Sequence, residues 1–312
     1  MIYFIRHRTT YSYEAQVKFA RCVLRLTPPS TASQTVVHSA LSVTPAPVQT
    51  HERTGPFGET TTTVVVDTPH KALIIEARAT VDVHAPAVEA LPGDPPWERV
   101  RTRALGSAVL DADGPASYLY PTPRTPLTAE ITEYARRSFA PGRPVVEAAA
   151  DLMTRIHAEF TYDSKATDVR TRPDQAFSLR RGVCQDFAHV MISGLRGLGL
   201  PAAYVSGYLR TTPPPGRPRL EGADATHAWT ALWCGEERGW IGFDPTNAIF
   251  VENDHIVLAV GRDYADVAPI DGVLLAPGEQ TLKVEVDVIP QDEAEPSLQG
   301  GVRMLQPSHP RA

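Results

Sequence analysis

The chain has no long hydrophobic run. A bilayer-spanning helix needs roughly 18 to 20 consecutive apolar residues, and nothing in these 312 residues approaches that. The start holds only the short apolar patch Ile2-Tyr3-Phe4-Ile5, followed by Arg6-His7-Arg8. It lacks the order of basic segment, longer apolar core and small-residue cleavage site that marks a secretory leader. No membrane association is expected, and the cytoplasm is the default compartment. Cysteine is scarce. Cys22, Cys184 and Cys234 are odd in number and far apart, so no disulfide framework is implied. No Cys-x-x-Cys or His-Glu-x-x-His pair offers metal-ligand spacing, and no cofactor motif stands in its place. An excess of positive charge is also missing. Lys plus Arg number 30 against 36 Asp plus Glu, a net charge of −6, which argues against a nucleic-acid partner.

What is present in quantity is proline, at 29 residues. Proline cannot continue a helix or a central strand, so its clusters mark boundaries. The length allows two domains, each with its own core. Residues 1 to 85 read as β. Cys22, Leu24 and Leu26 share a face, and Val37, Ser39, Leu41 and Val43 alternate with their neighbours. The run Thr60 to Val66 is β-branched throughout, and Ile75 to Val83 alternates small or apolar with polar residues. Thr27-Pro28-Pro29-Ser30 and Gly55-Pro56-Phe57-Gly58 supply turns. Short strands at this spacing predict a small β-sandwich.

Between 86 and 126 the pattern dissolves into prolines. This span reads as a connector along the surface, with one short helix from Trp97 to Leu105. Helical periodicity follows, in an α+β domain over 127–290. Thr128 is an N-cap candidate, and Val146, Ala149, Met153, Ile156 and Phe160 form one stripe after Pro144. A short turn spans Pro173 to Leu179. The next helix starts at Cys184, carries Phe187, Met191, Leu195 and Leu198 on its core face, and ends at Gly199 and Pro201. Strands are then predicted over 203–209, 226–233, 240–243 and 282–288. The tail, 291–312, is polar and loosely held.

The chemistry centres on Cys184. It follows the glycine of Arg181-Gly182-Val183-Cys184-Gln185-Asp186-Phe187-Ala188, at the start of a helix. A thiolate attacks acyl carbon far better than a thiol does, and helix N-termini and imidazolium neighbours favour it. The first-turn N–H groups also suit an oxyanion. An isolated cysteine more often packs as a small hydrophobe, but the glycine turn and polar Gln185-Asp186 argue against a wholly apolar site. Asp186 pulls the other way, since its charge disfavours a thiolate; the reading turns it toward a neighbouring arginine. His227, in the extended Thr226-His227-Ala228-Trp229, is the candidate base, with Trp229 on its face. The remaining histidines lack this context. His189 points about 140° around the helix from Cys184, and His157 and His255 read as surface or core polar residues. Asp244, in Gly242-Phe243-Asp244-Pro245-Thr246-Asn247, ends a strand. Alone it is a turn aspartate; with Cys184 and His227 it is the orienter of the base.

The segments Gly182 to Phe187, Gly199 to Tyr208, His227-Ala228-Trp229 and Gly239 to Asn247 together resemble the transglutaminase-like superfamily. The similarity is greatest to its bacterial branch of candidate cysteine proteases. Phe57-Gly58 with Pro69-His70, and Gly261 to Val267, also fit that branch. The resemblance implies a papain-like α+β core preceded by a small N-terminal β-sandwich, and a triad of Cys184, His227 and Asp244. Thr226 stands where serine is common. The family includes hydrolases, amine cross-linkers and inactive scaffolds. The expected activity is amide or peptide bond hydrolysis through acyl-Cys184, on a peptide or protein amide substrate. Acyl transfer to an amine and a non-catalytic binding scaffold are the alternatives. Tyr162 and Gln175 are candidates for a second oxyanion donor, and Thr211 to Pro218 for a stiff rim on the cleft.

Overall fold

The computed structural model describes residues 1–91, 93–211, 225–275 and 278–293. Alternation of apolar and polar residues builds the N-terminal strands: β1 (Ile2–Val17), β2 (Phe19–Leu24), β3 (Gln34–Thr44), β4 (Gln49–Thr54), β5 (Thr60–Val66) and β6 (His70–Val83). One residue in two of β6 is buried, from Leu73 through Val83, as a one-sided strand requires. The chain then forms α1 (Trp97–Leu105) and a single 3-10 turn at Pro115–Tyr118. Next come α2 (Ala129–Arg136), α3 (Val145–Glu159), β7 (Thr161–Tyr162), α4 (Pro173–Leu179), β8 (Arg181–Gly182) and α5 (Cys184–Gly197). They are followed by β9 (Ala202–Leu209), β10 (Ala225–Trp233), β11 (Trp240–Asp244), β12 (Ile249–Phe250) and β13 (His255–Gly261). The last elements are α6 (Tyr264–Val267), β14 (Ile270–Leu275) and β15 (Gln280–Pro290).

Local signals place the helices. The Thr128 hydroxyl accepts the Ile131 N–H at 3.3 Å and starts α2. Gly199, with φ +78°, ends the turn after α5 in the left-handed conformation. Gln185 through Arg196 are all buried, so α5 is the central rod of this unit rather than a surface helix. The helix α2 crosses it closely: a Cβ on Gly194 would lie 2.8 Å from that of Ala135, and one on Gly197 2.0 Å from Thr132 Oγ1. On its other side α5 meets the antiparallel sheet β12-β11-β10-β9-β13.

Two readings need correction. The connector is not confined to the surface. Trp97, Val100, Ala104 and Leu119 lie in the helical core, and Tyr118 is buried. Two of its prolines cost no helix bond, Pro96 capping α1 and Pro115 opening the 3-10 turn. The sandwich also does not end near residue 85. Its two sheets run β15-β1-β6-β3 and β14-β2-β5-β4, so the chain returns after the helical unit to pair β15 with β1 and β14 with β2. Residues 270–290 therefore belong to the sandwich. The tail beyond 293 and nearly all of the rim from Thr211 to Pro218 lie outside the described residues.

The sandwich packs directly on the thiol unit. Tyr208 of β9 and Ile256 and Leu258 of β13 share the sandwich core with Tyr3, Ile5, Leu24 and Val81. The Tyr208 hydroxyl lies 3.0 Å from His7 Nδ1, deep in that contact. Burial pushes His7 down to about 4, so it is neutral there.

Candidate active site

The parallel pair β7–β8 delivers the chain to α5, with Tyr162 opposite Gly182. Gly182 needs to be glycine for space. A Cβ there would stand 2.4 Å from Asp186 Oδ2 and 2.8 Å from Asp186 Cβ. The carboxylate of Asp186 folds back to accept the Val183 N–H at 2.8 Å and the Thr167 hydroxyl at 2.7 Å. It does not turn toward an arginine, as the sequence had suggested. The reason is local: at the third helical position it satisfies an N–H that the helix cannot. Burial raises the Asp186 pKa, partly offset by these two bonds. Thr167 also ties the 163–172 loop to the start of α5, and Gln185 Nε2 donates to Val169 O at 3.3 Å on the same loop.

Cys184 is partly exposed at the first turn of α5, whereas Cys22 and Cys234 are buried. The Cys234 thiol points inward at Leu232 O, 3.5 Å away. His227 is 8% exposed, and its Nε2 lies 2.8 Å from Asp244 Oδ2. The Cys184 thiol lies close enough to act on its pKa. With Nε2 committed to Asp244, Nδ1 is the nitrogen left for sulfur. Burial alone would lower the His227 pKa, but the hydrogen bonds and charges of Asp244 and Cys184 raise it to about 10.

Asp244 is wholly buried and saturated with donors. Oδ1 accepts the backbone N–H groups of Thr246 (2.9 Å) and Asn247 (3.2 Å). Oδ2 accepts from His227, from Asn247 Nδ2 at 2.7 Å, and from His255 Nε2 at 3.3 Å. Burial raises its pKa, but the bonds from His227 and His255, the His227 charge and Asn247 together hold it well below the usual carboxylate range. His255 was read as an unremarked polar residue, as was His157. Both belong to this network: His157 Nδ1 lies 2.8 Å from Thr246 O, in the turn that follows Asp244. No motif flagged either one. The only sequence hint was a histidine opening an apolar run, Ile256 to Val260. His189, by contrast, accepts the Tyr264 N–H at 3.3 Å away from the thiol, and burial pushes it down to about 3.

Of the two oxyanion candidates, Tyr162 is exposed and close enough to Cys184 for the sulfur, after burial, to raise its pKa. Gln175 is not placed at the thiol. Its Oε1 accepts the Arg172 N–H at 3.3 Å and caps its own helix α4. His227, Asp244 and His255 offer ligand atoms within 4.8 Å of one another. A divalent cation there would compete with the protons on both Nε2 atoms. Among the described residues no helix is long and apolar enough to cross a membrane.

The bacterial transglutaminase-like N-terminal region matches residues 3–82, and the transglutaminase-like superfamily core matches 132–245. An uncharacterised protein of Mycobacterium tuberculosis is 38% identical over 300 residues, 92% of each chain. A protein-glutamine gamma-glutamyltransferase of Pseudomonas aeruginosa is 32% identical over 130 residues, 41% of this chain and 19% of that one. The fold is shared with the crystal structure of a candidate cysteine protease from Cytophaga hutchinsonii. Its TM-score is 0.71 at 23% identity, over 94% of this chain and 92% of the other. The chain therefore belongs to the transglutaminase-like superfamily, with the bacterial N-terminal region of that family ahead of its core.

Proposed function

We propose that the protein is a cysteine-dependent amide or peptide bond hydrolase acting through an acyl-Cys184 thioester, with His227 as its base and Asp244 as the orienter of that base. The observation that supports this reading is the His227 ring, hydrogen-bonded to Asp244 and close enough to Cys184, at the first turn of α5, for the sulfur to raise its pKa. Proton transfer from sulfur to Nδ1 gives a thiolate beside an imidazolium. The thiolate attacks the substrate carbonyl carbon, and the oxyanion faces first-turn N–H groups that have no acceptor within the helix. Collapse of the adduct breaks the C–N bond while His227 Nδ1–H protonates the leaving amine. Water then enters, gives its proton to His227 and attacks the thioester. The acid leaves and the thiolate returns.

Acyl transfer to an amine is the second reading, favoured by the likeness to the Pseudomonas aeruginosa glutamyltransferase over 130 residues. It differs only in the last step, where an amine replaces water. The test is a peptide-amide library incubated with and without a primary amine, with Cys184→Ala as control. Free acid released only by the intact thiol supports hydrolysis, and amide conjugates that displace the acid support transfer. Folded protein that yields neither product, and no acyl adduct, contradicts both and leaves a binding scaffold.

A further inference from the structure

Asp244 carries one more imidazole than the proposed triad uses. A buried carboxylate with five N–H neighbours is an acceptor only, so whatever lies on Oδ2 must donate to it. His255 Nε2 lies 3.3 Å away, and its Nδ1 faces the Glu252 N–H at 3.5 Å. An acceptor at Nδ1 puts the ring proton on Nε2, aimed at Asp244. His255 is 3% exposed, so it acts on Asp244 rather than on substrate. Trp229 fixes its ring edge-on at 5.2 Å between centroids and also lies beside His227 at 6.2 Å.

The strand that carries His255 is held from the other domain. Gln34 of β3 clamps the backbone of Val257 on both sides, its Oε1 accepting the N–H at 2.8 Å and its Nε2 donating to the carbonyl at 2.9 Å. The Tyr3 hydroxyl donates to Asp254 at 2.8 Å, one residue before His255. Ile256 and Leu258 are buried in the sandwich core, while Ala259 packs into the helical core. The strand β13 thus belongs to both cores, and His255 stands where it enters them.

We propose that His255 is a positioning residue: its Nε2–H holds the Asp244 carboxylate in the orientation that serves His227, and the N-terminal sandwich fixes His255 through β13. The proposal deepens the thiol reading above and rests on it. A mispositioned carboxylate weakens the imidazolium beside Cys184, so the reactivity of that thiol reports the defect without any known substrate. The experiment measures Cys184 alkylation by iodoacetamide near pH 6 in the full chain. The loss of one hydrogen bond to a charged group, if transmitted in full, is worth about tenfold. His255→Leu should therefore slow labelling about tenfold, whereas His255→Gln, whose amide N–H overlays Nε2–H, should recover most of the rate. A residue that merely fills space gives the opposite order, leucine tolerated and glutamine penalised, and that order overturns the proposal.

Proton NMR supplies a readout that survives a poorly folding leucine variant. Wild type should show two downfield imidazole N–H resonances, and His255→Gln should remove one and keep the other. A single resonance that His255→Gln leaves untouched means that His255 does not donate to Asp244. For the sandwich, Gln34→Leu should slow labelling alone and add nothing in the His255→Leu background; no effect alone, or full additivity, refutes the coupling. His227→Ala separates the two levels. If it slows labelling while His255→Leu does not, only the positioning role falls; if it does not slow labelling, the thiol reading falls with it.

Discussion

Replacing Gly182 by alanine should damage both the fold and the thiol. The added Cβ would lie 2.4 Å from Asp186 Oδ2, and 2.8 Å from both Asp186 Cβ and Cγ. Rotating the Asp186 side chain moves its carboxylate but not its Cβ, so the backbone between β8 and α5 must shift as well. The rotation breaks the bonds to the Val183 N–H and the Thr167 hydroxyl, 2.8 and 2.7 Å long. Hydrogen bonds to a charged group contribute about 1.5–3 kcal/mol each. Burial already raises the Asp186 pKa, so partial neutralisation softens the loss and sets the low end as the working figure. Two bonds at that end give about 3 kcal/mol. For a chain of 312 residues that is a melting temperature lower by about 4–5 °C. The same shift re-aims the Cys184 N–H and sulfur, so iodoacetamide labelling of Cys184 should slow in the folded variant. Calorimetry and timed alkylation read the two effects. A Gly182→Ala variant that melts with wild type and labels at the wild-type rate would show that the approach of Asp186 is not what requires glycine here.

Asp244→Asn places an amide where three donors converge on Oδ2 and denies His227 its fixed tautomer; turnover of any peptide-amide substrate should fall by about 10⁴, read as kcat/KM, and a tenfold loss or less would refute the orienting role. The His227 pKa is raised to about 10. Its contribution to stability is therefore full below the unfolded value of about 6.5 and is lost as pH rises through about 10. Melting temperature should fall more steeply between about pH 7 and 10 in wild type than in His227→Gln; parallel curves would contradict the assignment. Arg180 lies over the rings of Phe177 at 3.9 Å and of Tyr134 and Phe160 at 4.8 Å each. It holds φ +52°. Arg180→Ala should destabilise by about 1–2 kcal/mol, and Arg180→Gly by less, because glycine accepts that φ freely; urea unfolding would show whether the order is reversed.

The helices were legible because their signals are local. Thr128, Pro144, Pro173 and Gly199 sit at or beside the ends of α2, α3, α4 and α5, and each acts within one turn. The strand periods were equally readable, but their partners were not. The alternation of Leu282 to Val288 does not say that this strand joins β1, more than 260 residues upstream, since pairing is chosen by whole-sheet burial. The prolines of the connector suggested exposure, yet Tyr118 and Leu119 are anchored between them, Tyr118 stacking edge-on against Trp240 at 5.0 Å. The turn after Cys234 is covered by Pro95 and Val100, a contact from a distant segment that no local signal encodes. Cys184, His227 and Asp244 were singled out together because each stands in a distinctive setting. His255 has none. Its place on Asp244 follows from β13 pairing with β9, which no spacing encodes.

The central claim is that Cys184 is an activated nucleophile paired with His227. The most direct measurement is competitive alkylation of the three cysteines by iodoacetamide at about pH 6, where an unperturbed thiol is almost wholly protonated, followed by mass mapping of each site. Cys22 and Cys234 are buried, and burial raises both of their pKa values. Cys184 should label first, and His227→Ala should slow that labelling while leaving Cys22 and Cys234 unchanged. Equal labelling of Cys184 and Cys234, indifferent to the His227 substitution, would mean that no activated thiol exists at the head of α5.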